Sequence, residues 1–351
     1  MPGLFDPFEV RGLRLKNRIM MSSMNQWSAG EDAVPTDYHF VHFGSRAIGG
    51  VGLIFTDGTS IVPNARTSPQ DIGIWNDDQV KAFARITKFC QSWGSAMGLQ
   101  LCYMGRKKHH ERGPDYQPRF IAPSAIPFDE DHETPHALTK AEIVEITGQF
   151  AAAAGRVVKA GFNVVELQAC HGYLISSFIS PLSNKRNDEY GGSLKNRTRF
   201  GCEVLEAIRA TVGDDVPVFA RFSATDMVEG GNTVKENVEV ARMFKAAGAD
   251  VMHVSIGGTA PGVQYGSQAD LHPGYIIPYS EIIRREAQVP TVTVGVIKSP
   301  LMAEEAIRNG RADLVAIGRA LLSDPYWPLR AAKELDVDLE WPKPIQAAKL
   351  W

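Results

Sequence analysis

Apolar positions along the chain fall into two alternating kinds of segment. Short, nearly continuous apolar runs occur at "RIMMSS" (18–23), "VGLIFTDG" (51–58), "AMGLQLC" (96–102), "NVVELQ" (163–168), "PVFARFS" (217–223), "DVMHVS" (250–255), "TVTVG" (291–295) and "DLVAIG" (313–318), and each reads as a buried strand. Between most of them lie longer stretches with apolar residues at helical spacing: 37–48, 77–93, 139–160, 193–212, 234–247 and 299–309. Several of these open on a capping residue, among them Thr139, Ser193, Thr233 and Ser299. Strands alternating with helices predict a parallel sheet, and eight such units predict closure into a (β/α)8 TIM barrel. An open doubly wound sheet is the alternative, but no GxGxxG follows the first strand.

Two segments fall outside the alternation. "FEVRGLRLKN" (8–17) turns at Arg11-Gly12 and predicts a β-hairpin that caps the bottom of the barrel. The stretch 104–133, after the third strand, is rich in Pro, Gly, His and Asp and too irregular for a helix; an excursion of this length reads as a lid loop. Residues 329–351 form a C-terminal tail. The 351 residues, 44% of them hydrophobic, suit one large core, so a single domain spanning 1–351 is expected.

Composition narrows the partners. The net charge of −3, with no concentrated Lys/Arg stripe, argues against nucleic acid or an anionic membrane and leaves small molecules. No apolar run approaches ~18 residues, and the N-terminus lacks a signal peptide's contiguous apolar stretch, so a soluble, cytoplasmic protein is expected. Cys90, Cys102, Cys170 and Cys202 have no metal-like spacing and read as reduced thiols. No metal site is expected, and His109-His110 read as loop residues.

Chemistry in a parallel barrel belongs at the carboxyl ends of the strands. In order they deliver Ser22, Ser23 and Asn25; Asp57 and Gly58; Gln100; Gln168, His171 and Tyr173; Arg221; Ser255; Gly295; and Gly318-Arg319. Glycines after the last two strands, with Arg319 and following helices, form a phosphate site. Arg221 and Gln100 lie too far round the barrel to reach the same phosphate and would meet the other end of the ligand, an electron-rich ring. A phosphate at one end and a polar heterocycle at the barrel centre suggest flavin mononucleotide. Arg221 could instead pair with Asp57 or Asp226, and Asn25 could do no more than satisfy loop backbone.

The stretches "LKNRIMMSSM", "GLQLCYMGRK", "IAPSAI", "HGYLISSFISPLSNKRNDEYGGSLKNRTRF", "PVFARFSATD" and "NGRADLVAIGRALLSDP" resemble the Old Yellow Enzyme family of FMN-dependent ene reductases, in its shorter bacterial branch of Bacillus-type NADPH dehydrogenases. The resemblance runs from Leu4 to about Pro328. It implies FMN contacts at Ser22, Ser23, Met24, Asn25, Gly58, Gln100, Arg221, Gly295, Gly318 and Arg319. It also implies that Gln168 and His171 hold the carbonyl oxygen of the substrate, that Tyr173 is its proton donor, and that Trp27 adjoins it. Hydride would come from NADPH or NADH, and a homo-oligomer, dimer or tetramer, is expected.

The residue types suit that chemistry. Adding hydride to the β-carbon of an activated alkene needs donors aimed at the activating oxygen, where negative charge builds, and then a general acid for the α-carbon. Arg221 near the ring would stabilise its reduced, anionic form. The chain departs from the branch at Asn25 (there a cysteine), Trp27 (a tyrosine), Gln168 (a histidine) and the "AAKLW" ending, where Lys349 falls on an arginine lent to the neighbouring subunit. Alternatives to ene reduction are a desaturase or amine demethylase, and a flavin-binding barrel with little turnover.

Overall fold

The computed structural model describes residues 1–107, 116–261 and 271–350. In chain order the elements begin with β1 (Phe8–Val10), β2 (Leu13–Leu15), β3 (Ile19–Met21), α1 (Asp37–Ile48), β4 (Leu53–Ser60), α2 (Asp77–Ser92) and β5 (Ala96–Cys102). They continue with β6 (Ile121–Ala122), β7 (His136–Ala137), α3 (Lys140–Lys159), β8 (Val164–Ala169), α4 (Leu174–Ile179), α5 (Leu194–Val212), β9 (Val218–Ser223), α6 (Val234–Ala246) and β10 (Val251–Ser255). The last are α7 (Ile277–Ala287), β11 (Thr291–Thr293), α8 (Pro300–Arg308), β12 (Leu314–Ile317), α9 (Arg319–Ser323) and α10 (Trp327–Glu334).

Eight strands close into a parallel barrel in the order β3, β4, β5, β8, β9, β10, β11, β12, the last pairing back to β3 through Val315–Ile19 and its neighbours. All eight match the apolar runs of the sequence. Their inner apolar residues near the amino ends, including Met20, Phe55, Val164, Phe219, Val251 and Leu314, pack with Phe8 and Leu15 of the hairpin. That hairpin turns at Arg11 (φ 47°) and Gly12 (φ 76°), the two successive positive φ values of a tight primed turn. The barrel is thus plugged at its bottom by hydrocarbon, and its polar residues gather at the other end.

Thr139, Ser193 and Thr233 cap α3, α5 and α6 by accepting backbone N–H groups. Ser299 makes no such bond: α8 begins on Pro300, whose ring presets the first helical φ. The sequence pattern missed α7, a short helix that also carries a proline in its first turn and ends on Gln288 in the left-handed region. The excursion 104–133 contains no helix among its described residues; β6 within it pairs in parallel with β7, just beyond it. His109 and His110 lie outside the described residues. No helix among the described residues is long and apolar enough to cross a membrane.

Candidate active site

A cavity of about 1000 Å³ opens at the carboxyl ends of the barrel strands. It is lined by Ser22, Ser23, Met24, Asn25 and Trp27 after β3, Gln100 of β5, Gln168 of β8, and His171 and Tyr173 just beyond it. Arg221 of β9, Ser255 of β10, Gly295 after β11, and Gly318 and Arg319 after β12 complete the set. Every site residue expected from the sequence is therefore on one cavity except Gly58. Gly58 sits behind the wall, donating its N–H to Asn25 Oδ1 at 2.9 Å.

Arg221 is not the ion-pair partner of Asp57 or Asp226. Asp57 accepts the Gln26 N–H, and Asp226 accepts Ser180, Thr259 and the Asn232 N–H. The Arg221 guanidinium, 6% exposed, donates only a long bond to the Ser23 carbonyl (3.3 Å), and its Nε has no partner. A buried cation with an orphaned donor calls for an acceptor from a ligand. Gln100 donates its Nε2 to Glu166 Oε1 at 2.7 Å. Asn25 does satisfy loop groups, Gly58 N–H on one side and Asp71 on the other (3.3 Å), while still lining the cavity. Burial, with Asp71 nearby, pushes the Asp57 carboxyl up to about 8 against the opposing Gln26 bond.

One side of the cavity holds Gln168, His171 and Tyr173. Gln168 Oε1 accepts the Cys102 thiol, leaving its NH2 group for the cavity. His171 adopts φ 61°, a left-handed conformation that non-glycine residues take only when their surroundings hold it. Those surroundings are on hand: its N–H reaches Ser223 Oγ (3.2 Å), its carbonyl accepts Lys107 Nζ (2.8 Å), and its Nε2 lies 2.6 Å from Ser255 Oγ. Tyr173 is the N-cap of α4 and 4% exposed. Lys107 lies 5.7 Å from the centre of its ring.

At the opposite end, Gly295 (φ 117°) passes so close to Tyr275 and Ile276 that a Cβ would sit 3.1 Å from each. Gly318, the N-cap of α9, leaves 3.2 Å between such a Cβ and Met24 Sδ. Val296 next to Gly295 also has positive φ (51°), as does Trp27 at the cavity mouth (47°). A β-branched residue in that region is an outlier that marks a constrained loop. Exposed backbone and Arg319 at this end, with Arg221 and Gln100 at the other, fit a ligand carrying a terminal phosphate and a polar ring.

Sequence reasoning placed Ser255 at its strand end but missed Lys107, Cys102, Glu166 and His253. Lys107 stands in the quoted "GLQLCYMGRK", but nothing in that string says that its Nζ would reach the carbonyls of His171 and Gly258 (2.8 and 2.9 Å). Among the described residues no cluster of His, Cys, Asp and Glu could hold a metal ion.

Residues 3–338 match the model of the NADH:flavin oxidoreductase / NADH oxidase family. The chain is similar to the NADPH dehydrogenase of Geobacillus thermodenitrificans, 45% identical over 349 residues, 99% of this chain and 98% of that one. The NADPH dehydrogenase of Bacillus subtilis is 40% identical over 349 residues, 99% of each chain. Among solved structures, morphinone reductase in complex with tetrahydroNAD superposes with a TM-score of 0.79 at 28% identity, covering 99% of this chain and 94% of that one. An Old Yellow Enzyme homologue from Zymomonas mobilis superposes equally well, at 0.79 and 29% identity over 96% of this chain and 94% of that one. The chain belongs to the NADH:flavin oxidoreductase / NADH oxidase family and is an NAD(P)H-dependent oxidoreductase whose cofactor is FMN.

Proposed function

We propose that this oxidoreductase reduces the activated C=C bond of α,β-unsaturated carbonyl compounds, and that residues 1–351 act as one FMN-binding domain. The observation that carries the reading is that Gln168, His171 and Tyr173 share a cavity with Arg221 and Gln100. FMN, when bound, supplies the hydride relay from NADPH or NADH to the acceptor. Ser22, Ser23, Met24, Asn25, Gln100 and Arg221 would hold its ring system, with Gly58 supporting Asn25; Gly295, Gly318 and Arg319 would hold its phosphate.

The substrate side is Trp27, Gln168, His171 and Tyr173. The Gln168 NH2 and the His171 imidazole donate to the carbonyl oxygen, where charge accumulates as the β-carbon gains hydride. Because His171 Nε2 faces Ser255 Oγ, the ligand oxygen takes the place of that hydroxyl at the ring. The Tyr173 hydroxyl delivers the proton to the α-carbon. The partners are small molecules, the assembly is a homo-oligomer, and the compartment is the cytoplasm.

Anaerobic titration of the purified holoprotein tests the reading. NADPH or NADH should bleach the flavin band, and 2-cyclohexenone should restore it with one cyclohexanone formed per flavin. Bleaching that no enone or maleimide reverses, but that an imine acceptor or dioxygen does, would overturn ene reduction and favour the amine-oxidising alternative.

A further inference from the structure

Behind Gln100, on the cavity wall, lies a polar chain of two residues, Glu166 and His253, to which the proposed reaction gives no role. Gln100 and Glu166 are register partners on the adjacent strands β5 and β8. Gln100 Nε2 donates to Glu166 Oε1 at 2.7 Å, and Glu166 Oε2 meets His253 Nδ1 of β10 at 2.8 Å. Glu166 and His253 are both 0% exposed and Gln100 is 1% exposed, yet only Gln100 reaches the cavity wall. The 2.8 Å contact between His253 Nδ1 and Glu166 Oε2 holds one bridging proton on that side of the carboxyl group, away from Gln100. Whichever of the two holds that proton, Glu166 Oε1 has only lone pairs to offer Gln100.

That settles the polarity of an otherwise ambiguous amide. An amide can present either its NH2 or its carbonyl oxygen to a ligand, and the two look alike in shape. Here the NH2 is committed to an acceptor, so the carbonyl oxygen is the free end. It lies 3.5 Å from where a Cβ on Gly58 would be, beside Asn25 Oδ1. The dioxopyrimidine edge of a flavin offers two carbonyl oxygens and one N–H, at N3, and only the N–H can pair with an amide oxygen.

We propose that Glu166, itself held by His253, is a positioning residue that turns the Gln100 carbonyl oxygen to the cavity, so that the site selects a ring bearing an N–H at that edge. The inference rests on Gln100 being a cofactor-side residue. It does not depend on what the reduced enzyme acts on, because its test needs no turnover.

In Glu166→Gln the new amide keeps its oxygen on the His253 N–H and turns its NH2 to Gln100. Gln100 then flips and offers NH2 to the cavity. The experiment measures the dissociation constants of FMN and 3-methyl-FMN from apoprotein by flavin fluorescence quenching. The natural chain should prefer FMN over the N3-methylated analogue by roughly tenfold or more, the scale of one lost hydrogen bond plus an unpaired buried acceptor. Glu166→Gln should bring that ratio close to one by weakening FMN, and Gln100→Met should do the same without touching the Glu166–His253 pair. If both constants rise in Glu166→Gln with their ratio unchanged, Glu166 is merely structural and the proposal fails. Should Glu166→Gln not fold, the natural chain and Gln100→Met still decide it: equal affinity for the two flavins in the natural chain, or an unchanged preference in Gln100→Met, overturns it.

Discussion

The Cys102 thiol donates to the side-chain oxygen of Gln168, so the group that Gln168 keeps for the cavity is a donor. Burial, with Asp71 and Cys170 adding, pushes the Cys102 pKa well above its usual value, and the thiol keeps its hydrogen at working pH. Cys102→Ala should leave the amide free to turn and raise the KM for 2-cyclohexenone by roughly three- to tenfold, the worth of a weak hydrogen bond. Cys102→Ser, which still donates, should restore it. Steady-state kinetics of both variants checks this, and equal damage in the two would indicate packing alone.

Gln168 offers a neutral donor where a histidine can offer a charged one, and charge-assisted bonds are about twice as strong. Gln168→His should therefore speed the reduction of 2-cyclohexenone more than that of the already activated N-methylmaleimide, by an amount corresponding to ~1–2 kcal/mol. The rates with the two acceptors, measured at full FMN content, decide it; a slower enone reaction would mean that the amide recognises another feature of the substrate.

Tyr173→Phe removes a hydroxyl from the substrate side of the cavity while keeping the ring that packs against Met104 and Phe120. Flavin reduction by NAD(P)H should be nearly unchanged, and oxidation by an enone should slow by ~10²-fold or more. Stopped-flow records of the two half-reactions separate these effects; equal slowing of both would rule out the proton-donor role.

Lys107 is 4% exposed and bridges the carbonyls of His171 and Gly258. Lys107→Met removes the donor that two buried carbonyls share, at ~1–3 kcal/mol each, and loosens a residue held at positive φ. A fall in Tm of several degrees is expected, with a larger loss in the enone half-reaction than in flavin reduction. An unaltered Tm would show that the bridge does not stabilise the fold.

Asp57 ionises near 3.8 as an ordinary aspartate and near 8 in the fold. Between those values the native protein holds a proton that the unfolded chain has released, so stability is highest below pH 4 for this group and declines as pH rises to about 8. Asp57→Asn keeps an acceptor for the Gln26 N–H and removes the slope, which at about 1.4 kcal/mol per pKa unit amounts to roughly 6 kcal/mol across the whole span. Urea midpoints at pH 5, 7 and 8.5 measure it. Parallel pH dependence in both proteins would mean that Asp57 is ionised in the fold.

The strands were legible because each is buried on both faces and so spelled in nearly continuous apolar letters; the 217–223 run "PVFARFS" announces β9 despite its arginine. The residues facing the cavity were legible because strand ends are where such runs turn polar. What lay behind them was not. Glu166 looks like an interruption of "VVELQ", and its meaning comes from Gln100, 66 positions away, and His253, 87 positions away. Those contacts follow from barrel register, which local pattern does not encode. Helix α7 was hidden for a simpler reason: eleven residues with a proline in the first turn give too little periodicity to stand out.

The hydrocarbon stopper formed by Phe8, Leu15 and the strand residues above them turns the barrel into a cul-de-sac. Under the proposed reaction a nicotinamide donor and an acceptor use the same inner face and, with the bottom closed among the described residues, enter through the mouth one after the other. Each then obstructs the other when in excess. Raising NADPH at fixed acceptor should first speed and then slow turnover, and raising the acceptor at fixed NADPH should do the same, so the fastest rate belongs to a balanced pair of concentrations and not to saturation with either.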